Sequence, residues 1–348
     1  MQTGIHFENG QVYSCRIDGQ RTIEQEPVRM QGSWMDYMIE NITGSRLQDE
    51  NIGIVMDGMT PEVMEEARKF CRQMGLPAGS LKLYTKEEAV VGLVRFQKNE
   101  LDRGNTAVFD YTQSGFNYYE VKKRNGQILV RRQDYTSEIA EAAAKTEKDQ
   151  AFVKIIKKAL AKGVTATVYL CGDGFDGQWF QESTRVLCMG RRVFMGKHLY
   201  ASGAAYLSGE EVFEKNQEDA VILTDTMTMC QIGLTLHHHG RDVFYPLMKE
   251  GRPWFESKGE MELFVSDISS LTFELRNKAG IKQAMVCFPL TGIVKNKDVV
   301  YQLKVQGKYL APDRCRLKVL DQGFGSIRSS SLQVWQQDIC LERGDFHE

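Results

Sequence analysis

Apolar and polar positions alternate over residues 164–170, break at Cys171-Gly172-Asp173-Gly174-Phe175-Asp176-Gly177, and return at helical spacing over 178–187. That pattern predicts a strand, a glycine turn and a helix. The glycines at 172, 174 and 177 allow a close backbone approach, and a helix start aims free N–H groups at the same place, which suits a nucleotide. An ordinary strand-to-helix turn carries the same letters, so the run alone leaves both readings open.

The rest of the first two hundred residues has the same texture. Strands at 4–7 and 11–17 flank Glu8-Asn9-Gly10, and Asn-Gly between alternating segments predicts a hairpin. A strand over 22–30, a short helix near 34–42 and a strand over 52–56 follow. Thr60 then caps a helix with Pro61 at its first position, and Gly75-Leu76-Pro77 stops it. A strand at 81–84 leads to a helix over 87–96 whose small and apolar residues predict burial on nearly all sides. Strands at 106–110, 116–123 and 127–134 come next, with Arg124-Asn125-Gly126 as a second hairpin turn, and a charged helix in two pieces spans 137–162. The order describes two α/β halves, each opening with antiparallel strands.

After residue 210 the texture changes. An acidic stretch precedes Val221-Ile222-Leu223, and beyond it seven short strands with turns between them, from 231–237 to 332–334, predict a β-sandwich. The expected division is 1–215 for an α/β domain, 216–224 for a linker and 225–348 for the sandwich.

Composition narrows the function classes. The chain has 348 residues and a formal net charge of −2, with no long basic run, so nucleic acid is not an expected partner. The eight cysteines include no CxxC pair, which predicts reduced thiols and a cytoplasmic location rather than a disulfide framework. Neither a signal peptide nor a membrane span is expected from the N-terminal residues and the short apolar runs. His237-His238-His239 has no companion at ligand spacing, so no metal site is expected there.

The motif order resembles the actin and heat-shock chaperone ATPase superfamily, and within it the seventy-kilodalton (DnaK-type) chaperones, without their helical lid. The resemblance rests on a first hairpin at residues 4–10, a buried connecting helix at 85–91, and a second hairpin running from Val108 to Phe116. It also rests on the turn Leu170-Cys171-Gly172-Asp173-Gly174, a closing helix at 199–205, and Phe288-Pro289-Leu290-Thr291-Gly292-Ile293 inside the β domain. It implies an actin-like two-lobed ATPase fold with reduced outer subdomains, followed by a chaperone-like β-sandwich. ATP or ADP with Mg²⁺ is the implied cofactor, and a polypeptide or protein is the implied partner. The candidate nucleotide-binding residues are Asp110, Thr112, Ser114, Gly115, Gly172, Asp173, Gly174 and Gly203.

The departures from the family pattern concern the phosphates. His6 and Lys86 stand at two positions where the family has metal-organising carboxylates, and Asp110 remains; the separation of 24 between Lys86 and Asp110 matches the family. Glu8-Asn9 replaces a glycine-threonine pair, Tyr111-Thr112-Gln113 replaces glycines, and Asp176 replaces an adenine-stacking arginine. Phosphoryl transfer depends on positioning and on neutralising charge around the phosphates. The expectation is therefore a non-catalytic chaperone-like protein with no catalytic residue or resident metal, and with ATPase activity absent or vestigial. The alternative is an active nucleotide-dependent chaperone ATPase with unusual phosphate ligands. A small-molecule kinase of the same superfamily is a third reading, which the C-terminal sandwich disfavours.

Overall fold

A computed structural model describes residues 1–341 except 20, 43–50, 57–59, 78, 97–102, 125–126, 141–143, 162, 210–220, 225, 278–279 and 326. The chain divides into two compact units, Met1–Thr224 and Asp225–Glu348.

Among the described residues, the first unit contains two mixed sheets. Strands β1 (Gln2–Glu8), β2 (Gln11–Asp18) and β3 (Arg21–Arg29) form an antiparallel meander; β4 (Asn51–Val55) and β5 (Leu81–Tyr84) add to β1 in parallel. The order is β3-β2-β1-β4-β5. The second sheet repeats this plan: β6 (Asn105–Thr112), β7 (Gly115–Arg124) and β8 (Gln127–Asp134) are the meander. β9 (Thr165–Cys171) and β10 (Arg192–Met195) extend it from β6 in parallel. Two sheets of one strand order and one pattern of directions give the actin-like ATPase fold that the resemblance implied. Asn9 and Gly10 both take positive φ, at 47° and 72°, the geometry that the right-handed twist of a two-residue hairpin requires.

The helices are α1 (Trp34–Ile42), α2 (Pro61–Gln73), α3 (Lys86–Phe96), α4 (Thr136–Ala140), α5 (Lys145–Ala159), α6 (Gln181–Leu187) and α7 (Leu199–Ser208). Thr60 caps α2 by accepting from Val63 N at 3.4 Å. Only four residues separate β3 from α1 and one separates β8 from α4, so neither point carries an inserted outer subdomain. The predicted helix over 178–187 is shorter than expected: a 3-10 turn covers Asp173–Phe175 and α6 begins at Gln181. The break in the predicted 137–162 helix includes residues 141–143, which lie outside the described residues.

Two helices cross between the halves. α3 follows the first sheet in sequence, yet Ala89, Val90, Val91, Leu93 and Val94 share a core with Val108, Tyr119, Val121, Ile128 and Val130 of the second sheet. α7 follows the second sheet and lies on the first. A Cβ at Gly4 would stand 1.8 Å from the carbonyl oxygen of Ala201, and one at Gly53 would stand 2.4 Å from that of Ala204. Backbone meets backbone at these crossings, which only small residues permit. This explains why α3 reads as apolar on all sides: it is covered from both halves.

Val221–Leu223, placed by the sequence in the connecting segment, forms β11 and pairs in parallel with the edge of the second sheet at β8. The second unit is a sandwich of two antiparallel sheets. One has the order β13 (Arg241–Met248), β12 (Gln231–His238), β15 (Ser270–Arg276), β16 (Lys282–Pro289); the other has β14 (Lys258–Ser266), β17 (Val300–Ala311), β18 (Arg314–Asp321), β19 (Val334–Cys340). Both inner faces enter one core, with Ile232, Leu234, Phe273 and Phe288 from the first sheet and Leu303, Val305, Leu317 and Val319 from the second. Among the described residues, no helix is long and apolar enough to cross a membrane.

Candidate functional site

The strand ends and helix starts of the first unit converge on one buried group of polar side chains. Glu8 is the last residue of β1, Lys86 the first of α3, Asp110 lies in β6, Cys171 ends β9 and Tyr200 is the second residue of α7. The Lys86 ammonium stands 2.5 Å from Glu8 Oε1 and 3.2 Å from Asp110 Oδ2. The Lys86 and Glu8 side chains are each 8% exposed and that of Asp110 is 1% exposed, so this bridge between the lobes is shielded from solvent. The Tyr200 hydroxyl donates to the same Asp110 oxygen at 2.8 Å, and the Cys171 thiol lies 3.5 Å from Asp110 Oδ1.

The surroundings hold the neighbours in their neutral forms. Burial, then the nearby Lys86 charge, holds His6 well below the usual imidazole range. Burial, then the Asp110 charge, pushes both the Cys171 thiol and the Tyr200 hydroxyl well up. The His6 ring lies 5.0 Å from that of Tyr200 and 5.8 Å from that of Tyr13. Its Nε2 is buried and finds no hydrogen-bond partner among the described residues.

The second hairpin and the glycine turn are closed from within. Tyr111, at one of the positions where the resemblance expects glycine, lays its ring on Gly174: a Cβ there would stand 2.4 Å from the ring. Gly172 has φ of 98°, and a Cβ on it would stand 2.1 Å from the Tyr111 carbonyl oxygen. Tyr111 of the same chain thus occupies the close approach at Gly172 and Gly174 that the sequence suggests for a ligand, and a Cβ at Gly177 would meet nothing within 4 Å. Trp179 Nε1 donates to the Gly174 carbonyl at 2.9 Å. Lys148 places its ammonium 4.4 Å from the Tyr111 ring centre and 4.6 Å from that of Trp179.

The other sequence candidates take local roles. Thr112 and Ser114 hydroxyls bond each other at 2.7 Å across the β6–β7 turn, and Gly115 makes room for Thr136, whose Oγ1 accepts from Phe116 N at 2.9 Å. Gly203 lies in the α3–α7 crossing, where a Cβ would stand 1.9 Å from the carbonyl oxygen of Ala89. Asp173 is exposed on the rim of a cleft of about 290 Å³ that also meets Glu8, Tyr13, Gln113, Asp176 and Lys197. Three carboxylates and one lysine line that cleft, and the lysine is already 2.8 Å from Asp176. The lining repels phosphate.

Among the candidates, Asp110 therefore joins the buried group, and Asp173 with the glycine turn borders the cleft above it. The sequence does not mark Tyr13, Lys148 and Tyr200 as site residues, because an isolated tyrosine or lysine carries no motif. The divalent cation that the fold implies does not fit the residues present. An ammonium already stands between the two carboxylates, and among the described residues no three His, Cys, Asp or Glu side chains are placed to hold a metal ion.

Solved structures similar to part of this chain are distant. The activator of the 2-hydroxyisocaproyl-CoA dehydratase from Clostridium difficile with bound ADPNP is 12% identical, with 62% of this chain and 96% of that one covered and a TM-score of 0.39. An inorganic polyphosphate/ATP-glucomannokinase from Arthrobacter sp. strain KM is 8% identical, with 60% and 98% covered and a TM-score of 0.42. A Bacteroides thetaiotaomicron protein with actin-like ATPase fold and unknown function is 9% identical, with 59% and 94% covered and a TM-score of 0.35. No curated protein matches the sequence. Residues 227–341 match a domain of unknown function, DUF8552. Residues 25–225 match the C-terminal part of a family of unknown function, DUF5716, and the chain belongs to that family.

Proposed function

We propose that the chain is a non-catalytic, chaperone-like binding protein built on the actin-like fold, with a polypeptide or protein as its partner. The observation that carries this reading is the Glu8–Lys86–Asp110 bridge, which puts a side-chain cation and the Tyr200 hydroxyl where an ATPase of this fold needs a metal ion and its waters. Catalysis of phosphoryl transfer is positioning plus charge neutralisation, and this site spends its positive charge on its own carboxylates. The acidic cleft and the ring of Tyr111 over the glycine turn support the same reading.

The β unit supplies the means of binding. Its sheets end in β13, β16, β14 and β19, each with one partner strand among the described residues. An extended polypeptide can add main-chain hydrogen bonds at such an edge. On β16 the side chain of Met285 is 62% exposed, an apolar contact point beside the open edge.

Two measurements test the reading. Isothermal titration of the whole chain with ATP or ADP, with Mg²⁺ and then with EDTA, is expected to give no binding heat at millimolar nucleotide. Micromolar Mg²⁺-dependent binding would show instead a working nucleotide site. A library of extended peptides is expected to yield binders whose affinity falls about tenfold in Met285→Asp, the loss of a single well-placed interface contact. Peptides bound equally by both proteins would move the binding surface away from β16.

A further inference from the structure

The cations of the second unit form no run in the sequence, yet the sheet gathers them. Arg314, Arg316 and Lys318 alternate with the core residues Cys315 and Leu317 along β18, so all three stand on the face away from the core. Lys308 of β17 lies opposite Arg316, and Lys258 of β14 lies opposite Lys308, which sets three cations side by side across three strands. Directly opposed like charges on a sheet face are destabilising. Asp338 of β19 ends the row and accepts from Arg316 Nε and Nη2 at 2.7 and 2.9 Å. Glu260 and Glu262 of β14 are engaged as well: Glu260 lies 3.0 Å from Lys304 Nζ, and Glu262 accepts from Gln302 at 3.3 Å. Among the described residues, Lys258, Lys308 and Lys318 form no ion pair. We propose that this face of β14-β17-β18-β19 docks an acidic segment of a partner protein. The assignment rests on the reading of the chain as a polypeptide-binding protein, and adds a second surface, on the other sheet from β16, with a stated partner charge.

The far end of the same face is apolar. Phe264 of β14 is 62% exposed, and Val334 of β19 is exposed too. The loop entering β19 carries Leu332, 85% exposed and at φ of 58°, a conformation costly for a leucine. Buried Asp321 fixes that loop: its carboxylate accepts from the Arg328 guanidinium, from Ser331 N at 2.9 Å and from Ser331 Oγ at 2.6 Å. An anchored leucine held out in water is pre-organised for contact, which lowers the cost of docking. Anionic lipid and nucleic acid present unbroken negative charge, which Glu260, Glu262 and Asp338 on this face would repel. A protein segment can set acidic and apolar side chains in the matching pattern.

The test is fluorescence anisotropy of labelled peptides titrated with the whole chain at low salt. The probes are a polyglutamate peptide and a peptide of equal charge that ends in a short leucine run. The wild type is expected to bind both, the leucine-bearing one more tightly, and to release them as salt rises. Lys308→Glu is expected to weaken both about tenfold, since it turns an exposed attraction into a repulsion. It also relieves the like-charge contact with Lys258 and Arg316, so its urea midpoint is expected at or above that of the wild type, and lost binding would not reflect lost fold. Lys69→Glu makes the same charge change on α2 of the first unit and is expected to bind as the wild type does. Phe264→Asp is expected to abolish the preference for the leucine-bearing peptide.

No peptide binding at low salt, equal binding of the two peptides by the wild type, or an equal loss in Lys69→Glu would overturn the proposal. So would phosphatidylserine vesicles or a single-stranded DNA oligonucleotide bound as tightly as the leucine-bearing peptide and with the same dependence on Lys308. Extended library peptides that depend on Met285 and not on Lys308 would overturn this face alone and leave the polypeptide-binding reading standing. Failure of both sets of peptides would overturn the two together.

Discussion

Lys86→Met is expected to lower the stability of the unit formed by Met1–Thr224 by about 3–5 kcal/mol in metal-free buffer, the usual cost of removing one partner from a buried ion pair. The volume of methionine fills the same space, so the loss reports charge and not a cavity. Without the ammonium, Glu8 and Asp110 face each other out of solvent, and each raises the pKa of the other. The sign of the pH dependence follows. A carboxyl whose folded pKa is raised stays protonated in the native state while the unfolded chain ionises near pH 4, so stability falls as pH rises above that point. The variant is therefore expected to recover toward the wild type in mildly acidic buffer and to lose most at neutral pH. Urea unfolding at the two conditions, followed by circular dichroism, checks both the size and the direction. A loss independent of pH would mean that packing of the lysine stem, not the charge bridge, holds the lobes.

The second large effect belongs to Gly203. Gly203→Ala is expected to cost about 3 kcal/mol or more, because its Cβ would stand 1.9 Å from the Ala89 carbonyl oxygen and both helices would have to separate. Gly203→Val is expected to leave little soluble protein. Gly196 is the control: a Cβ there meets nothing within 4 Å, and Gly196→Ala is expected to change stability by no more than about 0.5 kcal/mol. The comparison separates two meanings of one glycine. A glycine kept for a ligand tolerates alanine in the absence of ligand, whereas one kept for a helix crossing does not. Urea midpoints of the three variants, measured without nucleotide, decide between them.

Where sequence signals are local, they carry through to the structure. Asn9-Gly10 makes its hairpin and Thr60-Pro61 starts its helix, because each outcome depends on the backbone preferences of two or three neighbouring residues. Most strands of the four sheets are legible from alternation, but β10 and β13 are not. In β10 three of four side chains are exposed, and β13 mixes exposed and half-buried positions before its buried end, so neither shows a period of two. β19 runs to Cys340, well past the apolar positions that marked its start, since Gln336, Gln337 and Asp338 carry no strand signal.

The site divides along the same line. His6, Glu8, Lys86 and Asp110 stand out in the sequence because they depart from a motif at fixed spacing. That Lys86 reaches both carboxylates depends on a β1 strand end and a β6 strand meeting across two lobes. Tyr200 comes to Asp110 from 90 residues away. Tyr111 stands where the family pattern has glycine, but its ring against Gly174 follows from the path of the turn, which no spacing records.

The exchange of α3 and α7 makes each half an incomplete body. The first sheet is covered by the last helix of the second half, and the second sheet by the last helix of the first, as when two identical subunits trade an end segment across a twofold axis. Gly92 and Gly203 sit in the contact between these helices like the two sides of an isologous interface. The chemistry at the same junction has abandoned that symmetry. Carboxylates arrive from both strands, but the ammonium comes from one helix and the phenol from the other, so the pseudo-dimer carries one distinct side chain at each equivalent end.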